Sequence, residues 1–376
     1  MKLSPVLAGL KTYPFVRLIE ARKRLTDAGV PVIDFGIGEP REQTPAFIRE
    51  TLVRSLDPLS TYPSADGLPA LREAIAGWAQ RRFGTPLDPE TEVIPSFGSK
   101  EAVFHLAQVL DGELVVVPQP SYPVYERGAV FAGKALLDLP LEAGNGFLPD
   151  LDAVDAATWA RVGVLWLNYP NNPTAATAPV AFYERAAALA REHDFVLASD
   201  EAYSELYFGG DPPASALQVA DRTNVLVFNT LSKRSSMPGY RTGFAAGDAE
   251  VIAALRRYRP NVGTAPLEMV QRAAVAAWGD EDHVEEVRDR YRAKRDVLLP
   301  VLERAGLVSA GGDATFFLWL DAGPDAEALA QRLIDGGVIV TPGSYFGAAG
   351  EGFLRMALVP PPADCERAVS LLEGLL

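Results

Sequence analysis

Short apolar runs that close in turn residues alternate with stretches of helical periodicity along most of this chain, and nothing in the sequence restricts the fold more. The runs lie at 113–117, 162–167, 195–199 and 225–228, and helical spacing of apolar residues marks 69–82, 99–110, 180–192 and 283–305. Strands joined through a helix return to the same edge of a sheet and so run parallel. The chain is therefore expected to be an α/β protein with a mainly parallel sheet and crossover helices. After Asp313 the order changes to strand 315–320, helix 325–335, strands 338–341 and 353–358, and helix 364–376, which reads as a smaller α+β domain. The N-terminal segment has no core of its own and is expected to pack against that domain. The expected division is 1–45, 46–279 and 280–376.

Composition narrows the function. The 376 residues are 48% hydrophobic, enough for two intimately packed domains. A formal charge of −14 argues against nucleic acid or anionic membranes as partners, because both carry the same sign. An anionic ligand must then be met by local cations. Cys365 is the only cysteine, so no intrachain disulfide forms, and no apolar stretch reaches the roughly 18 residues of a membrane span. A cytoplasmic enzyme is expected. His105, His193 and His283 are scattered and show no metal-ligand spacing.

Candidate chemistry sits where the apolar runs end. Lys233 lies just past 225–228, at the edge where open α/β sheets hold ligands, and there an amine can form an imine with an aldehyde cofactor. A lone lysine at such a place is more often a solvated surface group. Here Thr230, Ser232 and Arg241 follow within one short stretch, a combination of hydroxyls and fixed charge suited to a phosphate dianion. Asn172 follows the run 162–167 in Asn171-Asn172-Pro173-Thr174, either a plain turn or an amide donor. Asp200 ends 195–199, with Tyr203 after it. A carboxylate there is costly unless paired, and a protonated pyridine nitrogen or a helix N-terminus would each pair it. Gly98, Ser99 and Lys100 open a helix whose first amides suit an anion, though ordinary capping reads the same way. Tyr122 is placed to stack on a ring or to pack on Pro120 and Pro123. Arg355, inside an apolar strand, suits a substrate carboxylate or a structural ion pair.

Together these segments resemble the fold-type I aminotransferases of class I/II that depend on pyridoxal 5′-phosphate (PLP). The resemblance includes Gly36-Ile37-Gly38-Glu39-Pro40, Tyr62-Pro63 with Gly67, Gly98-Ser99-Lys100, Asn171 to Thr174, Asp200 with Tyr203, Ser232-Lys233 with Arg241, and Arg355. It implies an aspartate-aminotransferase-like fold with a seven-stranded sheet sandwiched by helices. It also implies a Schiff base on Lys233, which later moves the proton between substrate Cα and cofactor. By the same resemblance Asp200 holds the pyridine nitrogen, Asn172 and Tyr203 hold the phenolate oxygen, and Tyr122 stacks on the ring. Gly98, Ser99, Lys100, Thr230, Ser232 and Arg241 surround the phosphate, while Gly38, Asn172 and Arg355 meet the substrate. Tyr62 is expected to reach the phosphate of a neighbouring subunit, which implies a homodimer with shared active sites. One departure is Ala175, where the family usually has glycine.

Within that group Tyr13-Pro14-Phe15, Gly38 to Arg41, Thr61 to Ser64 and Glu92 to Phe104 are similar to N-succinyldiaminopimelate aminotransferases of the lysine pathway. The implied reaction exchanges the amino group of glutamate with N-succinyl-2-amino-6-oxopimelate, and Arg17 and Arg41 are candidates for the extra carboxylates. Aspartate, aromatic or L,L-diaminopimelate substrates, and a PLP-dependent C–S β-lyase, are the alternatives. A regulator built on such a domain would carry an added DNA-binding domain, for which there is no spare N-terminal length.

Overall fold

The computed structural model describes every residue except 3, 11–13 and 60, so Tyr13 lies outside the described residues. Its largest sheet has seven strands in the order Val93–Ser96, Gly243–Gly247, Val225–Thr230, Val196–Asp200, Val162–Asn168, Leu114–Gln119 and Ala135–Pro140. Gly243–Gly247 is antiparallel to both neighbours, and the other pairings are parallel. The mainly parallel sheet is as expected.

The near-continuous apolar strands reflect burial on both faces. Along Val162–Asn168, Val164 and Trp166 join one core with Val117, Ala198 and Phe228. Leu165 and Leu167 point the other way, into a core with Val116, Leu197 and Val227. Helices Ser99–Val109, Val124–Phe131 and Ala249–Val262 cover the first face, and Pro69–Phe83, Val180–His193 and Glu268–Trp278 cover the second.

A four-stranded antiparallel sheet follows, ordered Thr341–Pro342, Phe353–Ala357, Phe317–Asp321 and Val308–Ser309, with helices Asp282–Arg304, Ala326–Asp335 and Pro362–Leu375. Two expectations change here. The strand read at 338–341 divides: Val338–Ile339 pairs in parallel with Ile33–Asp34, while Thr341–Pro342 pairs with Phe353–Ala357. The strand read from 315 starts at Phe317, because Thr315 adopts φ 61° and gives its N–H to Leu206 O at 2.6 Å. The N-terminal segment docks on this part, with Ala357 N–H donating to Phe35 O at 2.8 Å. Among the described residues no helix is long and apolar enough to cross a membrane.

Candidate active site

Strand register brings the ends of five strands to one edge. Asn168 lies opposite Asp200, Asp200 opposite Phe228, and both Thr230 and Ser96 opposite Gly243. Beyond that edge lies a cavity of about 540 Å³, into which Lys233, Asp200, Arg241, Asn172, Tyr122 and Arg355 all project.

Lys233 sits on a single turn, Leu231–Arg234, started by Thr230, whose hydroxyl accepts from Ser232 N–H at 3.1 Å. Its Nζ donates to Gly38 O at 2.9 Å and lies 5.2 Å from the Phe316 ring. Burial pushes its pKa down to about 8, and the nearby Arg355 and Arg241 charges add to this against Glu39 and Asp200. Gly38 must be glycine for this approach, since a Cβ there would lie 2.7 Å from Phe317.

Asp200 starts no helix: a turn follows it, so the capping alternative falls away. Its Oδ2 accepts from the Tyr125 hydroxyl at 2.8 Å and its Oδ1 from Ala202 N–H at 3.3 Å. Burial pushes the carboxyl up to about 6, opposed by these two hydrogen bonds and by Lys233. Asn168 orders the same corner, donating to Asp200 O at 2.7 Å and accepting from Asn172 N–H at 2.9 Å. Tyr125 and Asn168 were not singled out from the sequence. A signal for Tyr125 existed, since it lies three residues after Tyr122 and so on the same side of a helical turn.

At the other end of the cavity, Gly98 has φ 72° and passes so close to Arg241 that a Cβ would lie 2.4 Å from its Nη2. Ser99 and Lys100 begin the helix here, facing Thr230, Ser232 and Arg241. Thr230 Oγ1 is committed to Thr242 O at 2.8 Å and to Ser232 Oγ at 2.9 Å. Arg241 holds Pro238 O at 2.9 Å and φ 52°. The ensemble combines helix amides, hydroxyls and one guanidinium, groups of the kind that suit an anion.

Arg355 is buried beneath Phe317, 4.3 Å from the ring, and donates to Asn172 Oδ1 at 2.9 Å and Gly36 O at 2.6 Å. With Oδ1 so engaged, the Asn172 side chain, which lines the cavity, has its N–H groups as the remaining polar atoms. Tyr203 also lines the cavity, edge-on to Phe316 and Phe317 at 5.4 Å. Tyr122 packs edge-on against Tyr125 at 5.8 Å.

Arg17 and Arg41 do not line this cavity, and Tyr62, expected at the site of a neighbouring subunit, is not part of it either. Arg17 is exposed on the helix Val16–Asp27, and Phe15 and Ile19 take the inward positions four residues apart. Arg41 turns to Asp34, 3.3 Å away, which also holds Arg22. Tyr62 is fully exposed beside a separate surface cleft with Arg256 and Arg257.

The donor set fits PLP. It combines helix amides, hydroxyls and a guanidinium suited to an anion, a buried carboxylate with no ion pair among the described residues, an amine of lowered pKa and an amide at the wall, all around one volume. A family described as aminotransferase class I and II matches residues 30–372. The LL-diaminopimelate aminotransferase of Nitratidesulfovibrio vulgaris is 40% identical, covering 100% of this chain and 99% of that protein. A Thermus thermophilus aspartate aminotransferase variant superposes with TM-score 0.92 at 32% identity, covering 100% of both chains. A probable N-succinyldiaminopimelate aminotransferase from Thermus thermophilus gives TM-score 0.88 at 32% identity, covering 96% of this chain and 100% of that one.

Proposed function

The chain belongs to the class I and II aminotransferases, which depend on PLP, and from that premise we propose that it exchanges an amino group between glutamate and a substrate built on the diaminopimelate skeleton. The relatives support that skeleton in two forms, the free L,L-amino acid and its N-succinyl derivative. The free form is favoured by one observation. The wall formed by residues 15–39 presents Phe15, Ile19, Ile37 and Gly38 to the cavity with Glu39 as its ionic group, while Arg17 and Arg41 stand elsewhere. Apolar contacts with a carboxylate at the rim suit methylenes ending in a free ammonium beside its own carboxylate better than an end whose ammonium is replaced by an amide and a further succinyl carboxylate.

When bound, PLP supplies an electron sink for the electron pair left on the substrate carbon. Arg355 takes the substrate α-carboxylate in a bidentate grip, which sets Cα beside Lys233. The Lys233 amine, about half unprotonated near pH 8, is the group that would take the Cα proton and carry it. Asp200 would hold a proton on the pyridine nitrogen, and Asn172 and Tyr203 would donate to the ring oxygen. Ser99, Lys100, Ser232 and Arg241 would hold the phosphate. The active unit is a cytoplasmic homodimer in this reading, with Tyr62 and the exposed Leu56, Leu59 and Leu267 covered by a second copy.

The test is a donor panel of L,L-diaminopimelate, its N-succinyl derivative, aspartate and phenylalanine with 2-oxoglutarate, reading glutamate formed. L,L-Diaminopimelate is expected to give the highest kcat/KM. Turnover of aspartate or phenylalanine alone overturns the substrate, and pyruvate released from cystathionine without any acceptor identifies a β-lyase instead.

A further inference from the structure

Arg259 is 1% exposed, and its guanidinium reaches three segments. Nη1 donates to Ala65 O at 2.6 Å and Pro95 O at 2.7 Å, while Nε and Nη2 each stand 3.3 Å from the Glu101 carboxylate. Glu101 lies in the first turn of Ser99–Val109, directly behind the amides of the anion site. It braces that turn, accepting from Phe97 N–H at 3.2 Å and facing His105 Nδ1 at 3.3 Å. Burial pushes its pKa up, yet His105, the Arg259 charge and the Phe97 N–H outweigh this and hold it below the usual carboxylate range.

An anion here has two consequences of opposite sign. A carboxylate in the first turn fixes the loop and suits the helix end, but it competes with a phosphate for the same partial positive charge. One uncompensated unit charge within about two helical turns of a bound anion changes its affinity by roughly ten- to a hundredfold at the effective dielectric of a protein.

We propose that Arg259 is a positioning residue for the cofactor phosphate: by cancelling the charge of Glu101, it lets that acid brace residues 97–101 without repelling the phosphate. The proposal rests on the phosphate lying at Ser99 and Lys100, as argued under the proposed function. Arg259 acts on the phosphate only through Glu101. Its grip on Ala65 also sets the loop that carries Tyr62, three residues away.

The test titrates apoenzyme with PLP and, separately, with pyridoxal, which lacks the phosphate, following bound-cofactor absorbance. Arg259→Gln is expected to weaken PLP at least tenfold and leave pyridoxal within twofold. Glu101→Gln leaves the Arg259 charge uncompensated and should bind PLP no more weakly than wild type, with pyridoxal within twofold, and the double variant Arg259→Gln/Glu101→Gln should regain PLP affinity to within threefold of wild type. A double variant as weak as Arg259→Gln overturns the proposal. Should Arg259→Gln not fold, Arg259→Lys keeps the charge and should hold PLP within threefold, and a tenfold loss there overturns it equally. A wild type that binds PLP no tighter than pyridoxal instead overturns the phosphate assignment beneath the proposal.

Discussion

The Tyr125 phenol donates a hydrogen bond of 2.8 Å to Asp200 Oδ2, and both residues are buried. Burial raises the phenol's own pKa well above its usual value, with the Asp200 charge adding to it, so Tyr125 stays a donor at any working pH. Asp200 is the partner that titrates, near 6. A hydrogen bond to a charged group is worth roughly 1.5–3 kcal/mol, or about one to two pKa units. Tyr125→Phe should therefore move the acid limb of the kcat/KM profile upward by about that much. An acid limb left in place would show that Tyr125 does not govern Asp200.

Asp200 also makes the cofactor-free protein sensitive to pH. Its folded pKa of about 6 stands above the 3.8 of an ordinary aspartate, so folding favours the neutral acid. That contribution is full below pH 4 and is lost as pH rises through 6, which corresponds to roughly 3 kcal/mol by pH 8. In urea denaturation of apoenzyme, Asp200→Asn should be more stable than wild type at pH 8 by up to that amount, with the advantage shrinking at pH 4. An equal gap at both pH values contradicts this.

Replacing Lys233 separates binding from chemistry. In Lys233→Ala, PLP should still bind through the anion site, while borohydride should no longer fix it to the protein, as read by intact mass. Loss of the proton carrier should lower kcat by about 10²- to 10⁴-fold. Retention of a borohydride-fixed adduct would place the linkage on another lysine.

Arg355→Gln removes the bidentate anchor and leaves Asn172 Oδ1 and Gly36 O without the charged donor. Charge-assisted hydrogen bonds of 1.5–3 kcal/mol predict a loss of about 100-fold in kcat/KM for every α-amino acid donor. A loss confined to one substrate would place Arg355 at the distal group instead.

Ala175 holds φ 62° while 1% exposed, the left-handed region that costs an L-residue about 1–2 kcal/mol. Ala175→Gly relieves that strain and gives back up to about 1 kcal/mol of unfolded-chain entropy. A net stabilisation of up to about 1 kcal/mol in urea denaturation is expected, with kcat unchanged. Gly311 and Gly312 let the chain pack against the backbone of this loop: a Cβ on Gly312 would lie 2.4 Å from Ala175 O.

What the sequence disclosed follows how local each signal is. Lys233, Asp200 and Asn172 each end or follow a strongly apolar strand, and the parallel register then brings them together. Gly243–Gly247 escaped notice because its sequence, Gly-Phe-Ala-Ala-Gly, is poor in β-branched residues, and it becomes a strand by lying between two others. Tyr125 escaped because its importance depends on Asp200, distant in sequence and adjacent only once the sheet forms. Where Arg17 and Arg41 lie could not be read for the same reason: charge can be read along the chain, but which side of a helix faces the cavity, and that Asp34 would hold Arg41, depend on tertiary packing.

The wall of residues 15–39 lies over the cavity without belonging to the sheet whose strand ends carry Lys233 and Asp200. Under the proposed function the side chains that would set donor preference lie on this wall, which meets the reacting groups through its backbone, at Gly38 O and Gly36 O. Exchanging Phe15, Ile19, Ile37 and Glu39 as a set would redirect the enzyme to a different donor while the proton-moving apparatus stays as it is, a modularity that makes this segment the natural place to retool the catalyst.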